Sequence, residues 1–394
     1  MAIRPSEVVF NALGRVTLGV PAADAIKAEA ERREARRIFV LAGGHLATET
    51  DEIERVKMAL GSRVVAVHHG IRAHAPRRDI VAAANVARDC DADLIVAIGG
   101  GSVTDAGKIV ALAFSRGVHT VDELNALRFR HSDDGTPHYQ SGGDLKARVI
   151  CVPTTLSAGE FNVMAGSVDE ERNVKEGFGH PQMAPLCVVL DPAITLHTPE
   201  WLWLSTGIRS VDHATETLAS LLSNDYADGL AESGLRLLAR GLRRVKADAH
   251  DLEARLQCQV GAWQSAVPLV CGVPMGASHA LGHAMGGYNV PHGYTSCVTM
   301  AHVQNWNAEV VGERQKRISA ALDAPDTAAA VALDDLVRGL GLPRTLRDVG
   351  LTDEQIPEIA RHAYADIWGK TNPRSIKGAE DMEHILRKVG DKLS

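Results

Sequence analysis

The chain has 394 residues, more than one ordinary hydrophobic core accommodates and about right for two domains. Hydrophobic residues make up 45% and charged residues 23%, the balance of a soluble globular protein. An aromatic content of 4% and a net charge of −7 argue against nucleic acid as a partner, and no apolar run reaches the roughly 18–20 residues of a membrane span.

The N-terminal stretch MAIRPSEVVFNALGRV lacks the basic-then-apolar order of a secretory leader. The six cysteines form no CxxC pair, so they read as reduced thiols of a cytoplasmic protein, with no zinc or disulfide role. RRIFVLAGG (36–44) predicts a strand running into a glycine turn, TETDEIERVKMALG (48–61) a helix, and RVVAVHHG (63–70) the next strand. RRDIVAAANVARDC (77–90) is a helix, ADLIVAIGGG (92–101) a strand and glycine turn, and VTDAGKIVALAFS (103–115) a helix. This βαβαβα order calls for a parallel sheet with helices on its faces. HSDDGTPHYQSGGDLK (131–146) reads as a polar loop, while KARVICVPTT (146–155) and PLCVVLDP (185–192) add strands. Beyond that point strand patterns nearly vanish, and residues 205–264, 274–287 and 311–392 carry Ala, Leu, Arg and Glu at helical spacing. The expected boundary is Asp191–Pro192, with an α/β domain over 1–191 and an all-α domain over 192–394.

Two stretches carry chemistry. In DLIVAIGGGSVTDAGK (93–108), glycines let a diphosphate approach the backbone, and the helix start offers free N–H groups. The GxGxxG fingerprint is absent, so a plain strand-to-helix connection is the competing reading. PTTLSAGE (153–160) adds Thr154, Thr155 and Ser157 just after a strand, suited to a ribose or carboxamide, although each hydroxyl alone is a common turn former. The second stretch, HALGHAMGGYNVPH (279–292), places His279 and His283 one helical turn apart and His292 beyond a turn. Two buried core histidines would be the bland account of that spacing.

Together GGGSVTDAGK, VPTT, LDPAITLHTPEWLWLSTGIRSVDHATET, HALGHAMGGYNVPHG and the closing NPRS resemble the iron-containing (group III) alcohol dehydrogenase superfamily over nearly the whole chain. The resemblance implies the dehydroquinate synthase-like fold of that superfamily: an α/β dinucleotide-binding domain, a helical substrate domain and a cleft between them. It implies NAD(P)-dependent hydride transfer, with Gly99, Gly100, Gly101, Ser102, Asp105 and Lys108 around the diphosphate and Thr154 and Thr155 near the nicotinamide. It also implies a homodimer as a frequent assembly. RAHAP (72–76) and PTTLSAGEF (153–161) are similar to the maleylacetate reductase branch.

Metal-dependent members take ligands from an Asp, a His four residues later and two histidines of the HxxxH stretch. The matching positions here are Arg209, His213, His279 and His292. A guanidinium cannot ligate a divalent cation and would repel one. Asp212, one residue before His213, would point about 100° away on a helix. The expectation is a metal-free site; zinc or iron held by His213, His279 and His292 is the alternative.

Reduction of maleylacetate to 3-oxoadipate, a step of aromatic catabolism, needs a cation near the carbonyl oxygen, a proton donor and cations for two carboxylates. Arg209 would supply a cation, His279, His283 and His292 are the candidates for the proton with His213 a catalytic-site residue expected to face them, and His74 and Arg72 are candidate carboxylate contacts. The competing readings are a metal-dependent alcohol, aldehyde or hydroxy-acid dehydrogenase of the same superfamily, a metal-bound lyase or cyclase, and a non-catalytic nucleotide-binding scaffold. Gly43 stands where an acidic ribose-binding residue is expected, so NAD and NADP both remain open.

Overall fold

The computed structural model describes residues 7–131, 137–138, 142–172 and 174–393. The chain divides into two compact units, Asn11–Thr198 and Pro199–Ser394, with the described residues before Asn11 joining the second. The break lies just beyond the expected line at Asp191–Pro192. The single helical turn Ile194–His197 thereby belongs with the first unit.

The first unit runs β1 (Arg15–Leu18), α1 (Ala22–Arg32), β2 (Ile38–Ala42), α2 (Gly44–Glu49), α3 (Glu52–Leu60) and β3 (Val64–His69). It continues with α4 (Arg77–Asp89), β4 (Leu94–Gly99), α5 (Gly101–Ser115) and α6 (Val121–Asn125). A two-residue ladder pairs β5 (Arg130–His131) with β6 (Pro137–His138) inside the segment expected as a polar loop, much of which lies outside the described residues. Then come β7 (Arg148–Pro153), β8 (Met164–Asp169), β9 (Val174–Gly179) and β10 (Cys187–Leu190).

Six strands form one parallel sheet in the order β1-β10-β7-β4-β2-β3. β2 and β4 are buried at every position, because helices cover both faces of a parallel sheet and the strands must be apolar throughout. The chain leaves β2 towards β3 on one side and returns to β4 on the other. The C-terminal ends of β2 and β4 therefore lie at the topological switch point, where open α/β sheets bind ligands. β8 and β9 form a separate antiparallel hairpin, pinned by the fully buried Arg77, which bonds Asp169 at 2.7 Å and also contacts Glu176.

The second unit is helical: α7 (Glu200–Ala219), α8 (Asp225–Ala247), α9 (Leu252–Val270), α10 (Ala277–Gly286), α11 (His292–Ala321), α12 (Ala329–Gly339), α13 (Ile356–Ala365), α14 (Ile367–Lys370) and α15 (Ala379–Arg387). α7 is buried from Trp203 to Ala219. A helix enclosed on all sides offers no solvent face, so each polar residue on it needs an internal partner. Among the described residues no helix is long and apolar enough to cross a membrane.

Candidate active site

The first unit gathers the glycine turn and the PTT loop at one place. The Gly43 N–H bonds Ile98 O at 2.8 Å and the Thr154 N–H bonds Gly99 O at 2.9 Å, so the ends of β2, β4 and β7 lie side by side. α5 begins there with Gly100 as its N-cap; the Val103 and Thr104 N–H groups turn back onto the Gly100 carbonyl at 2.9 and 3.1 Å, which leaves those of Gly101 and Ser102 without an acceptor in the helix. A Cβ on Gly101 would come 2.7 Å from the Ser157 hydroxyl, so the glycine is needed for the loop to close over the helix start. Thr155 and Ser157 face each other there, their hydroxyls 3.4 Å apart. The Ser102 hydroxyl accepts the His74 N–H at 3.0 Å, which brings His74 to the same helix start. A glycine-lined helix N-terminus at the switch point fits a dinucleotide diphosphate.

Three of the residues expected as ligand contacts have partners within the protein. The Lys108 ammonium does not face the glycine turn: it is fully buried and donates to the carbonyls of Gly159 at 2.7 Å, Asn162 at 3.2 Å and Met164. Asp105 accepts the Gly166 N–H at 3.2 Å, so one of its oxygens also holds the 157–166 loop. Arg72 is paired with Asp79 at 2.8 Å and Glu170 at 2.9 Å, which engages the guanidinium expected for a substrate carboxylate. Burial, with Lys175 adding to it, lowers the pKa of His74, so it meets a ligand as a neutral hydrogen-bonding group rather than a cation.

The second unit holds a buried polar cluster on α7, α10 and α11. Arg209, Asp212, His213 and Glu216 recur at i, i+3, i+4 and i+7 and so form one stripe of α7. Asp212 is therefore inside the cluster, against the expectation that its rotation from His213 would carry it away. Its spacing of three from Arg209 is what returns it to the same stripe. Its Oδ2 accepts the hydroxyls of Ser278 at 2.7 Å and Ser296 at 2.6 Å, and lies 3.7 Å from Arg209 Nη1. Arg209 Nη1 donates to Ser296 Oγ at 3.0 Å. Glu216 caps the start of α10, accepting the N–H groups of Gly276 and Ser278, each at 2.8 Å, and it meets His279 Nδ1 at 2.7 Å. Gly282 makes room for the arginine, since a Cβ there would lie 3.1 Å from Nη1.

The four histidines form two stacked pairs and not one centre. His213 lies on His279 with ring centroids 4.8 Å apart, and both are buried. His283 lies on His292 at 6.2 Å with rings nearly parallel, and His283 Nδ1 bonds Asp366 at 2.9 Å. Burial drives the His213 and His279 pKa values well below 6.5, and the Arg209 charge adds to both, so these two imidazoles are neutral. For His279 this disfavours the imidazolium form that its expected role as a proton donor would use. Burial and mutual repulsion push the Asp212 carboxyl upward, and burial does the same to Glu216.

The ligand set of the metal alternative fails on position. Among the described residues the one group whose metal-ligating atoms lie within 4.8 Å of one another is Asp212, Glu216 and His279, without His213 or His292. Both oxygens of Glu216, one oxygen of Asp212 and Nδ1 of His279 are already engaged in hydrogen bonds, and a fixed guanidinium stands beside them. Asp212 Oδ1 and His279 Nε2 have no partner among the described residues, but the guanidinium 3.7 Å from the Asp212 carboxylate repels a divalent cation, and on that ground the set does not fit one.

Asp212, Glu216, Ser278, Ser296 and Asp366 were missed as site residues in the sequence. The regular polar stripe on the apolar α7 sequence was the available indication for Asp212 and Glu216. Asp366 reaches His283 from another helix, and no local pattern announces it.

Family models agree with this architecture: the iron-containing alcohol dehydrogenase model matches residues 14–192 and its C-terminal model residues 203–390. The chain is 30% identical to Dehydrogenase FUM7 of Gibberella moniliformis, covering 92% of this chain and 93% of the relative. It is 31% identical to Maleylacetate reductase 2 of Cupriavidus pinatubonensis, covering 95% of this chain and 93% of the relative. A crystal structure of a putative alcohol dehydrogenase from Ralstonia eutropha superposes with a TM-score of 0.83 at 31% identity, over 98% of each chain. The chain belongs to the iron-containing alcohol dehydrogenase family and is an oxidoreductase.

Proposed function

We propose that the protein is an NAD(P)H-dependent reductase of maleylacetate or a closely similar unsaturated keto-dicarboxylate, working without a bound metal. The observation that carries this reading is Arg209, a cation fixed in the buried cluster where metal-dependent relatives are expected to place a ligand carboxylate. Similarity to maleylacetate reductases across nearly the whole chain supports the substrate class.

The glycine-lined start of α5, Gly99 to Ser102, would hold a nicotinamide cofactor, which would supply the hydride. Hydride addition to a carbon–carbon double bond conjugated with a ketone builds negative charge on the ketone oxygen, and a proton must then reach the neighbouring carbon. Arg209 meets that oxygen and stabilises the enolate in a site whose low dielectric strengthens the interaction. His213 and His279, being neutral, hydrogen-bond the substrate without adding charge. His283 serves as the proton donor: it is 42% exposed, and Asp366 fixes its ring through Nδ1, leaving Nε2 for the transfer.

The test is a substrate comparison with purified protein, following NADH and NADPH oxidation with maleylacetate and with short aldehydes. The expected result is that kcat/KM for maleylacetate exceeds that for aldehydes by at least about a hundredfold, some 2.7 kcal/mol of transition-state discrimination. Reduction of aldehydes with no turnover of maleylacetate would replace this reading with the alcohol dehydrogenase alternative.

A further inference from the structure

Arg209 and Asp212 lie three residues apart on one helix, where a direct fork-to-fork ion pair is easily made. The structure holds them apart. Their closest approach is 3.7 Å, and the Ser296 hydroxyl stands between them, accepting from Arg209 Nη1 at 3.0 Å and donating to Asp212 Oδ2 at 2.6 Å. Ser278 donates to that same oxygen at 2.7 Å and also meets the Thr299 hydroxyl at 3.0 Å. Asp212 thus ties together three helices around the guanidinium: α7 through itself, α10 through Ser278 and α11 through Ser296.

The atoms left over are informative. Arg209 Nε, Asp212 Oδ1, His213 Nδ1 and His279 Nε2 are all buried, and none has a hydrogen-bond partner. A pair built only for stability would close and satisfy its own atoms, because a buried unpaired polar atom costs about 1–3 kcal/mol. An indirect pair instead keeps the guanidinium oriented while leaving some of its hydrogen bonding for an incoming oxyanion.

We propose that Asp212 and Ser296, with Ser278 behind them, are positioning residues that aim Arg209 at a carboxylate or enolate oxygen of the substrate. The proposal rests on the reading of Arg209 as the cation that meets the substrate. Ser296 is the strut that prevents the arginine from collapsing onto its own aspartate. Asp212, loaded with two hydroxyls, fixes the strut.

The experiment compares Ser296→Ala, Ser296→Thr, Asp212→Asn and the charge-removing Arg209→Gln by steady-state kinetics with maleylacetate, NADH binding and thermal unfolding. Ser296→Ala should lower kcat about tenfold or more while the substrate KM moves by less than about threefold. NADH affinity should stay at its wild-type value and the unfolding temperature should fall by only the few degrees that a lost buried hydrogen bond costs, so the kcat loss with a nearly unchanged KM is a split that a merely structural serine would not give. Ser296→Thr keeps the hydroxyl and should recover most of the loss, and Asp212→Asn should lower kcat in the same direction. If Asp212→Asn does not fold, the two Ser296 variants decide. Wild-type turnover in Ser296→Ala beside an impaired Arg209→Gln overturns the positioning proposal alone. Wild-type turnover in Arg209→Gln, which removes the charge, overturns the reading beneath it, and the proposal with it.

Discussion

The Lys108 ammonium, wholly buried on α5, gives its N–H groups to carbonyls at residues 159, 162 and 164. Burial lowers its pKa, while Asp105 at 3.9 Å and the buried Glu160 favour the charged form. Removing the ammonium leaves those carbonyls without their donor, at a net cost of about 2–3 kcal/mol once the relieved desolvation of the charge is counted. Lys108→Met should therefore lower the unfolding temperature by several degrees, roughly 2–4 °C per kcal/mol for a chain this large, with NADH affinity changing only a few-fold. A variant of unchanged stability with about a hundredfold loss of NADH affinity would instead place Lys108 on the diphosphate. The sequence showed a lysine nine positions after the first glycine of the turn, and that spacing does not say which way a long flexible side chain runs. The neighbouring glycines were legible because backbone access is a local property. Lys108 was not, because its partners lie some fifty residues later in the chain.

At the scale of elements, the strands and helices of the sheet core were legible from their apolar runs and glycine turns. The β8–β9 hairpin was not expected, because MAGSVD and VKEGFG are short, glycine-containing and only half apolar. Its hold comes from charge rather than from hydrophobic pattern. Burial pushes the Glu176 carboxyl up, but hydrogen bonds and charge from Arg128 and Arg77 outweigh it and hold its pKa at about 2 against 4.5 for a free group. Arg172 adds a longer contact at 3.2 Å. Between those values the unfolded chain binds the proton and the folded chain does not. Glu176 thus contributes its full stabilisation above about pH 4.5, and the contribution is lost as the pH falls towards 2. Denaturant unfolding of wild type and Glu176→Gln should show the wild type more stable above pH 4.5, with the gap closing on acidification. A gap that does not change with pH would contradict the ion-pair account of the hairpin. α7 behaves similarly: its polar stripe was visible as RSVDHATE, yet it took the enclosing helices to show that all four stripe residues face one cluster.

For the whole molecule, the division into a parallel α/β unit and a helical unit could be read from the change of periodicity after Asp191. The fold it implies is that of the iron-containing alcohol dehydrogenase family. What sequence matching could not supply was the arrangement of the histidines. They occupy a metal family's positions, but His213 and His279 pair in the buried interior while His283 and His292 pair beside Asp366. On the proposed metal-free reading, Arg209 on α7 stands in for the metal, since a fixed cation and a divalent ion compete for the same space and the same carboxylates. The most direct measurement is kcat/KM for maleylacetate before and after exhaustive treatment with EDTA, on protein whose metal content is determined in parallel. A cation supplied by the protein predicts unchanged kcat/KM and substoichiometric metal throughout. Activity that disappears with the chelator and returns with zinc or ferrous iron would contradict it.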